Sequence, residues 1–423
     1  MPFAPSRRLN PEGSSNPKKS GSFLAILGNF KRNRRTNSSM KVLLVEPAYY
    51  TRFPPLGLLK LASYHRSQGN QVKLVHGLQE DLKFNPDRIE ITSLFTYAWK
   101  PVHEAIQFYH GKFNNVKLRV GGIYASLMPR RLKSFFPFVD VNIGLCKEAD
   151  DYLPAYDLLK EIKEWEKWDS TILFTSRGCI RNCPYCIVPR LEGKIHRVVE
   201  DLKRYVYPDH KRIILWDNNF FAMPDWKKIL EELLDIGLPV DFNQGIDARL
   251  VDDEKAGMIA NLRTSLIRTA FDNIGEKRNL TNAIEILSKN GIRRRKIFIY
   301  TLYNFHSEKY YSDTPATFFE RIRHVADLGC VSYPMRYEPL TALEKNCFVS
   351  PFWTDVQLKI IGKARRILGY GGAFPPYIGL VKNFRKADSF EEAFCVYPLK
   401  NGDNKIESLE RKQNAEIMLQ YAT

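Results

Sequence analysis

The sequence predicts an α/β protein: a doubly wound parallel sheet of the Rossmann or flavodoxin type, followed by a partial (β/α)6 barrel of the TIM type. Three observations predict it. Between 41 and 150, short runs rich in Val, Ile and Leu alternate with helical stretches. From 170 to 345 the same alternation starts again, with six strand-like runs. In that second unit, polar residues recur just after the strand-like runs. Strands separated by helices pair in parallel, and a parallel sheet is covered on both faces.

In the first unit, 41–46 reads as a buried strand, 54–68 as a helix closed by Gly69-Asn70, and 71–76 as a second strand. Further strands are expected over 89–95, 116–120 and 139–143, with helices over 101–112 and 129–135. Right-handed crossovers turn this order into a doubly wound domain, whose ligands lie beyond the strand C-termini. In the second unit, strands are expected over 171–175, 212–216, 240–244, 266–271, 296–302 and 331–337. Helices are expected over 225–235, 252–261, 276–289 and 315–328. Barrels carry function at the C-terminal ends of their strands. There stand Asp217-Asn218-Asn219, the run from Asn243 and Gln244 through Asp247 to Arg249, Asp272-Asn273, Asn304 and Arg336. One polar cluster is ordinary loop chemistry; polar groups at the same end of every strand form a rim. Beyond it, 353–368 reads as an amphipathic helix that either caps the open side of the barrel or packs with its basic face in water. Gly369 is placed to end it.

The chain therefore divides into a basic disordered tail (1–39), a first domain (40–150), a barrel (170–345) and a helical extension (346–423). The net charge is +17, and the first 40 residues hold eight Lys/Arg against one acid. The only apolar run of that tail, 23–27, is too short for a secretory signal, and Met40 is an alternative start. The tail is Arg-rich and acid-poor like a transit peptide, but its composition reads as disorder. No run approaches the roughly 18 apolar residues of a membrane span. A cytoplasmic protein is expected. The basic body suits RNA, anionic substrates or a charged cofactor. The cluster Arg293-Arg294-Arg295-Lys296 comes without an RNA-binding module and reads as a solvated face.

The most specific feature is one short loop holding Cys179, Cys183 and Cys186, a C-x3-C-x2-C spacing. Three thiolates this close can hold three irons of a [4Fe-4S] cluster and leave the fourth iron without a protein ligand. The competing readings are three unrelated thiols and a half zinc site that His196 would complete, although structural zinc usually takes two Cys/His pairs. A structural disulfide is disfavoured by an odd total of seven cysteines and a chain long enough to build a core. Cys330, Cys347 and Cys395 are scattered and read as packing residues or surface thiols. Cys146 has no sequence explanation.

The cysteine loop, with Tyr185 between its last two cysteines, resembles that of the radical S-adenosylmethionine (SAM) superfamily. There the amino and carboxylate groups of SAM occupy the open iron, and the backbone at the aromatic position approaches the adenine. By position, Asp217-Asn218-Asn219 matches the superfamily's post-strand-two motif, which contacts the SAM amino group, although the usual glycines are missing. Gln244, Asp247 and Arg249 are candidates for the ribose and the carboxylate, since an Arg fork suits a carboxylate. Asp272 is a candidate for SAM or substrate. The bland readings are a surface ion pair for Arg249 and a helix N-cap for Asp272. The phrases from Arg177 to Lys194 and from Asp241 to Asp247 are similar to a subgroup of unsettled reaction.

The first domain resembles the cobalamin-binding-type domain that precedes many radical SAM cores, through Glu46-Pro47-Ala48-Tyr49-Tyr50, Phe53-Pro54-Pro55-Leu56-Gly57 and Val120-Gly121-Gly122-Ile123-Tyr124-Ala125-Ser126. Two departures stand out. The D-x-H-x-x-G motif that brings a histidine to cobalt is absent, and the acidic motif after the fifth strand is replaced by Gly144-Leu145-Cys146-Lys147-Glu148. Cobalamin is thus a candidate cofactor, against a domain kept for substrate binding or packing. The resemblance implies one-electron reduction of the cluster by a donor such as flavodoxin or ferredoxin. It further implies reductive cleavage of SAM to methionine and a 5′-deoxyadenosyl radical. Methyl transfer is one outcome with cobalamin; sulfur insertion lacks the extra cysteines. The competing classes are a non-catalytic iron-sulfur or zinc protein that binds nucleic acid through its charge, and an inactive relative using the barrel as a scaffold.

Overall fold

The computed structural model describes residues 39–394. The expected disordered tail, Cys395 and the end of the C-terminal extension lie outside the described residues. The first sheet contains β1 (Lys41–Glu46), β2 (Gln71–His76), β3 (Arg88–Ile91), β4 (Lys117–Val120) and β5 (Asp140–Val141). Its order is β2-β1-β3-β4-β5, parallel throughout. β1 lies inside the sheet, and its Val42, Leu43, Leu44 and Val45 are fully buried. A strand covered on both faces reads as an unbroken apolar run. Around it lie α1 (Leu56–Ser67), α2 (Trp99–Lys112), α3 (Ile123–Leu127), α4 (Pro129–Phe135) and α5 (Lys147–Asp150). The strand order reverses between β1 and β3, and ligands of such sheets bind at that crevice. β3 ends earlier than the expected 95. The Ser93 hydroxyl there donates to the Gly121 carbonyl (2.6 Å) and accepts the Ala125 N–H (3.0 Å), so the chain turns out of the ladder.

The barrel strands are β6 (Ser170–Leu173), β9 (Arg212–Leu215), β10 (Val240–Phe242), β11 (Ile267–Ala270), β12 (Ile297–Tyr303) and β13 (Val331–Arg336). Between the first two lies an unexpected antiparallel pair, β7 (Ser176–Arg177) with β8 (His196–Arg197), and a short helix, α6 (Val188–Leu191). The outer helices are α7 (Trp226–Ile236), α8 (Asp253–Asn261), α9 (Lys277–Lys289) and α10 (Pro315–Asp327). Strands β6, β9 and β10 form one parallel half, and β11, β12 and β13 the other. The halves join where Val240 N–H reaches Arg263 O (3.0 Å) and Ile246 N–H reaches Arg268 O (2.8 Å). The result is a six-stranded arc, the partial barrel expected. Local signals set the ends: a Thr314–Thr317 capping box with Pro315 starts α10, and Gly237 at φ +72° stops α7.

The C-terminal helices are α11 (Asp355–Ile367), α12 (Ile378–Lys386) and α13 (Phe390–Phe394). Their Leu358, Ile361, Leu380, Phe384 and Phe394 bury against Phe318, Phe319 and Ile322 of α10. The segment also covers the free edge of β13. Phe374 exchanges both backbone hydrogen bonds with Ser332, at 2.8 and 3.2 Å, leaving that part of the edge no longer open to another chain. Phe53 and Leu56 of the first unit pack on Ile172, Phe174 and Ile214 of the barrel, and the described residues 39–394 belong to one compact unit.

Candidate functional site

The cysteine loop leaves the barrel at the C-terminal end of β6. Gly178, just before Cys179, has φ +79°, a conformation that L side chains rarely adopt. A Cβ there would stand 2.7 Å from the Gly193 carbonyl oxygen and closer still to that of Lys194. Cys179 N–H then donates to Gly193 O (3.3 Å), tying the loop to the returning β8 hairpin. The Cys179 sulfur accepts from Arg181 N–H (3.3 Å) and Asn219 Nδ2 (3.6 Å), and Cys186 N–H donates to Cys183 O (3.1 Å). Burial pushes the Cys186 thiol up to about 11, and the neighbouring Cys183 and Cys179 add to that. Iron binding would displace those protons, since the thiolate is the ligand.

The end of β9 supplies three residues with three different partners. Asp217 is buried, and its carboxylate accepts Thr175 Oγ1 (2.5 Å), Thr175 N–H (3.1 Å), Ser176 N–H (2.6 Å) and Ser176 Oγ (2.7 Å). It pins the turn that leads into the cysteine loop. Burial raises its carboxyl, and those four bonds oppose the rise. Asn218 Nδ2 donates to Glu192 Oε2 (2.8 Å). Asn219 Nδ2 donates to Cys179 Sγ and to Asp247 Oδ2 (3.2 Å), while its Oδ1 is buried with no hydrogen-bond partner.

From the turn after β10, Asp247 receives Arg181 Nε (2.9 Å), Arg249 Nε (2.7 Å) and Arg249 Nη2 (3.1 Å). Burial works to raise its carboxyl; the bonds from Arg249 and Arg181 prevail and hold it below the ordinary value. Arg249 also faces Glu276 (3.6 Å) and is one-third exposed, so the ion-pair reading describes its contacts. Gln244 is exposed and makes no side-chain hydrogen bond with the described residues. At the end of β11, Asp272 accepts Tyr185 OH (3.0 Å) and Leu302 N–H (3.1 Å). The N-cap before the next helical turn is Asn273, whose side chain accepts Gly275 N–H (2.8 Å). Burial pushes Asp272 upward.

Thus the structure links Cys179, Asn219, Asp247 and Arg249 through direct hydrogen bonds. It links Tyr185 to Asp272 on the other side of the same loop. Asn304 is part of the frame: it is buried at φ +67° and fastens the loop after β12 to Phe348 and Ser350. Sequence reasoning missed Glu192, Arg177 and Arg181 as contributors. The alternation of strands and helices gives no sign of them, because the hairpin that carries Arg177 and frames Glu192 breaks that alternation.

Among the described residues, no group of three His, Cys, Asp or Glu side chains is gathered around a single ion. A [4Fe-4S] cluster asks for something different, one thiolate per iron, and the donor set in this loop is three cysteines. The alternative zinc ligand His196 is exposed and turns its Nδ1 to Lys194 O (3.0 Å). The orphaned Asn219 Oδ1 beside Cys179 is an acceptor suited to an ammonium group. In the first domain, large apolar side chains stand exposed just after β1, β2, β3 and β5: Tyr50, Leu78, Phe95 and Ile143. That rim suits a broad apolar ligand. The histidines there are occupied in packing: His65 against Glu90, His76 against Glu164 and Trp165, His103 on Tyr124, His110 stacked on Phe138.

No family profile matches the chain. Over 131 residues it is 27% identical to the ribosomal protein uS12 methylthiotransferase RimO of Dictyoglomus thermophilum. The match covers 26% of this chain and 30% of that protein, so the chain spans under a third of its curated relative. Among solved structures it is similar to the radical SAM methyltransferase TsrM from Kitasatospora setae with cobalamin and a [4Fe-4S] cluster bound. The TM-score is 0.55 at 14% identity, over 84% of this chain and 85% of that one. A second structure of TsrM, with tryptophan substrate and the SAM analogue aza-SAM, gives 0.54 at 13% identity over 78% of each chain. The chain shares the fold of those structures, a doubly wound parallel sheet followed by a partial barrel. The fold places the cysteine loop after the first barrel strand and the apolar rim of the first sheet at its strand C-termini. No helix among the described residues is long and apolar enough to cross a membrane.

Proposed function

We propose that the chain is a radical SAM enzyme whose cluster is held by Cys179, Cys183 and Cys186. The observation that carries this reading is the C-x3-C-x2-C loop at the C-terminal end of the first barrel strand, with Asn219, Asp247 and Tyr185 bonded around it. When bound, the cluster and SAM supply reductive cleavage of the sulfonium, with the electron drawn from a donor of the flavodoxin or ferredoxin class.

The chain's own residues orient and shield. Asn219 offers its free Oδ1 to the SAM ammonium. Arg249 and Arg181, held by Asp247, present donors for the carboxylate, and Gln244 is free to meet the ribose. Asp217 and Asn218 act one step back: they hold the loop rather than the ligand. Tyr185 is fixed by Asp272 and packs edge-on against Phe305 (5.3 Å), closing one side of the site against water. The first domain (40–150) would place cobalamin on its apolar rim, beside the barrel (170–345) and its helical extension (346–423). Methyl transfer is then the favoured outcome. A reducing cytoplasm suits a cluster with an open iron and free thiols.

The test is anaerobic reconstitution with iron and sulfide, then SAM, a strong reductant and cobalamin. Methionine, 5′-deoxyadenosine and methylcobalamin would be assayed, with Cys183→Ala as the control. SAM-derived product that vanishes in the variant is the expected result. A fully loaded cluster that yields none of the three would sink the enzymatic reading.

A further inference from the structure

We propose that Asp150, in the helix after the first sheet, is a positioning residue for the cysteine loop, acting through Arg177 and Glu192. The proposal rests on the cluster reading above and adds to it a link from the first domain. Arg177 directly precedes the loop and is buried. Its guanidinium gives Nη2 to Asp150 Oδ1 (2.8 Å), Nε to Asp150 Oδ2 (3.3 Å) and Nη1 to Glu192 Oε1 (3.2 Å). Its Cζ sits 3.4 Å from the centre of the Phe174 ring. One guanidinium thus holds two carboxylates from different parts of the chain, Asp150 through a two-pronged fork suited to Arg and not to Lys and Glu192 through a single bond.

Glu192 passes this order on. Its Oε2 accepts Gly178 N–H (2.9 Å) and Asn218 Nδ2 (2.8 Å). Gly178 is the residue with the left-handed backbone that sets the exit of Cys179. At the far end, Asp150 also receives Lys60 of α1 at 3.3 Å, and Lys60 reaches the Asp150 carbonyl. All four charged side chains are 14% exposed or less, so the ions are weakly screened and costly to unpair. The separate pairing of Glu148 with Arg119 (3.6 Å) leaves Asp150 as the acid that faces the barrel.

If Asp150 only glued two domains together, its removal would lower the unfolding temperature and leave the cluster alone. A positioning role predicts a change in the cluster while the protein is fully folded. The experiment follows anaerobic iron release from reconstituted protein to a ferrous chelator at 20 °C, together with the electron paramagnetic resonance line shape of the reduced cluster. Wild type is compared with Asp150→Asn, Glu192→Gln, the double variant and Lys60→Met. Each of the first two is expected to release iron about tenfold faster, the loss of one buried charge partner. The double variant should match the faster single one, because both act on one chain of contacts. Lys60→Met leaves Arg177 on Asp150 and should stay within about twofold of wild type.

Wild-type release and line shape in either Asp150→Asn or Glu192→Gln would overturn the proposal, as would effects that multiply in the double variant. Should Asp150→Asn fail to fold, Glu192→Gln alone decides, since it leaves the contact between domains intact. A wild-type protein that takes up no cluster would instead refute the cluster reading, a separate failure.

Discussion

The two halves of the barrel differ in the charges they leave open. The half formed by β6, β9 and β10 carries the cysteine loop, and beside the buried Arg177 it keeps partly open arginines: Asp247 serves both Arg181 and Arg249, the latter one-third exposed. The half formed by β11, β12 and β13 is locked by one fully buried arginine. Arg321 donates to Phe271 O (2.7 Å), Leu302 O (2.8 Å) and Asp313 Oδ1 (2.6 Å), joining the ends of β11 and β12 to the loop after them. Asp313 in turn takes Asn304 N–H (3.0 Å) and Thr317 Oγ1 (3.0 Å). The difference teaches where the protein keeps ligand-binding capacity. Redundant, partly exposed charge pairs can trade a partner for a ligand; a dry, single-centre lock cannot.

That contrast can be broken most forcefully at Arg321. Arg321→Met leaves Asp313 buried and unpaired, and should cost about 3–5 kcal/mol of stability. Chemical denaturation measures it, and a loss below about 1 kcal/mol would show that the far half is not locked as described. Next in size is Gly178→Ala on the near side. The added methyl meets the Gly193 and Lys194 carbonyls at a backbone angle only glycine favours, so the loop must move. Iron uptake should fall several-fold or more, while the far half keeps the fold intact by circular dichroism.

A third effect is pH-dependent and belongs to the near half. His210 hydrogen-bonds Thr171 of β6 through Nδ1 (2.8 Å), and burial pushes it down to about 4. A histidine that must stay neutral when folded binds protons more readily when unfolded. Its contribution is complete above about pH 6.5, the unfolded value, and is lost as pH falls toward 4. The unfolding temperature should therefore drop across that window, and His210→Gln should flatten part of the drop. The smallest effect expected is Arg249→Ala. Asp247 keeps Arg181 and Asn219, so stability should change by less than about 1 kcal/mol, although SAM affinity should weaken. Isothermal titration with a SAM analogue on the reconstituted protein separates the two readouts.

Much of this frame was legible in the residues. β1 and β2 lie where their apolar runs place them, and the six barrel strands fall within a few residues of expectation, because alternating strand and helix patterns mark buried parallel sheets. The cysteine loop was legible because three thiols at fixed spacing have few uses. The hairpin of β7 and β8 was not, since two-residue strands leave no periodic trace. Partners were the other blind spot. Asp217 and Asn218 were expected to face SAM, yet they bond the loop and Glu192, a choice made by tertiary packing that a string of polar residues does not encode. Asp272 looked equally like a cap, and only the fold assigns that task to Asn273.

The most direct test of the account is spectroscopic. Anaerobically reconstituted, reduced protein should contain about four irons per chain. Its paramagnetic resonance signal should shift when SAM is added, and Cys183→Ala should abolish it. A signal of a four-iron cluster that SAM leaves unchanged would contradict an iron open to SAM, and with it the central claim.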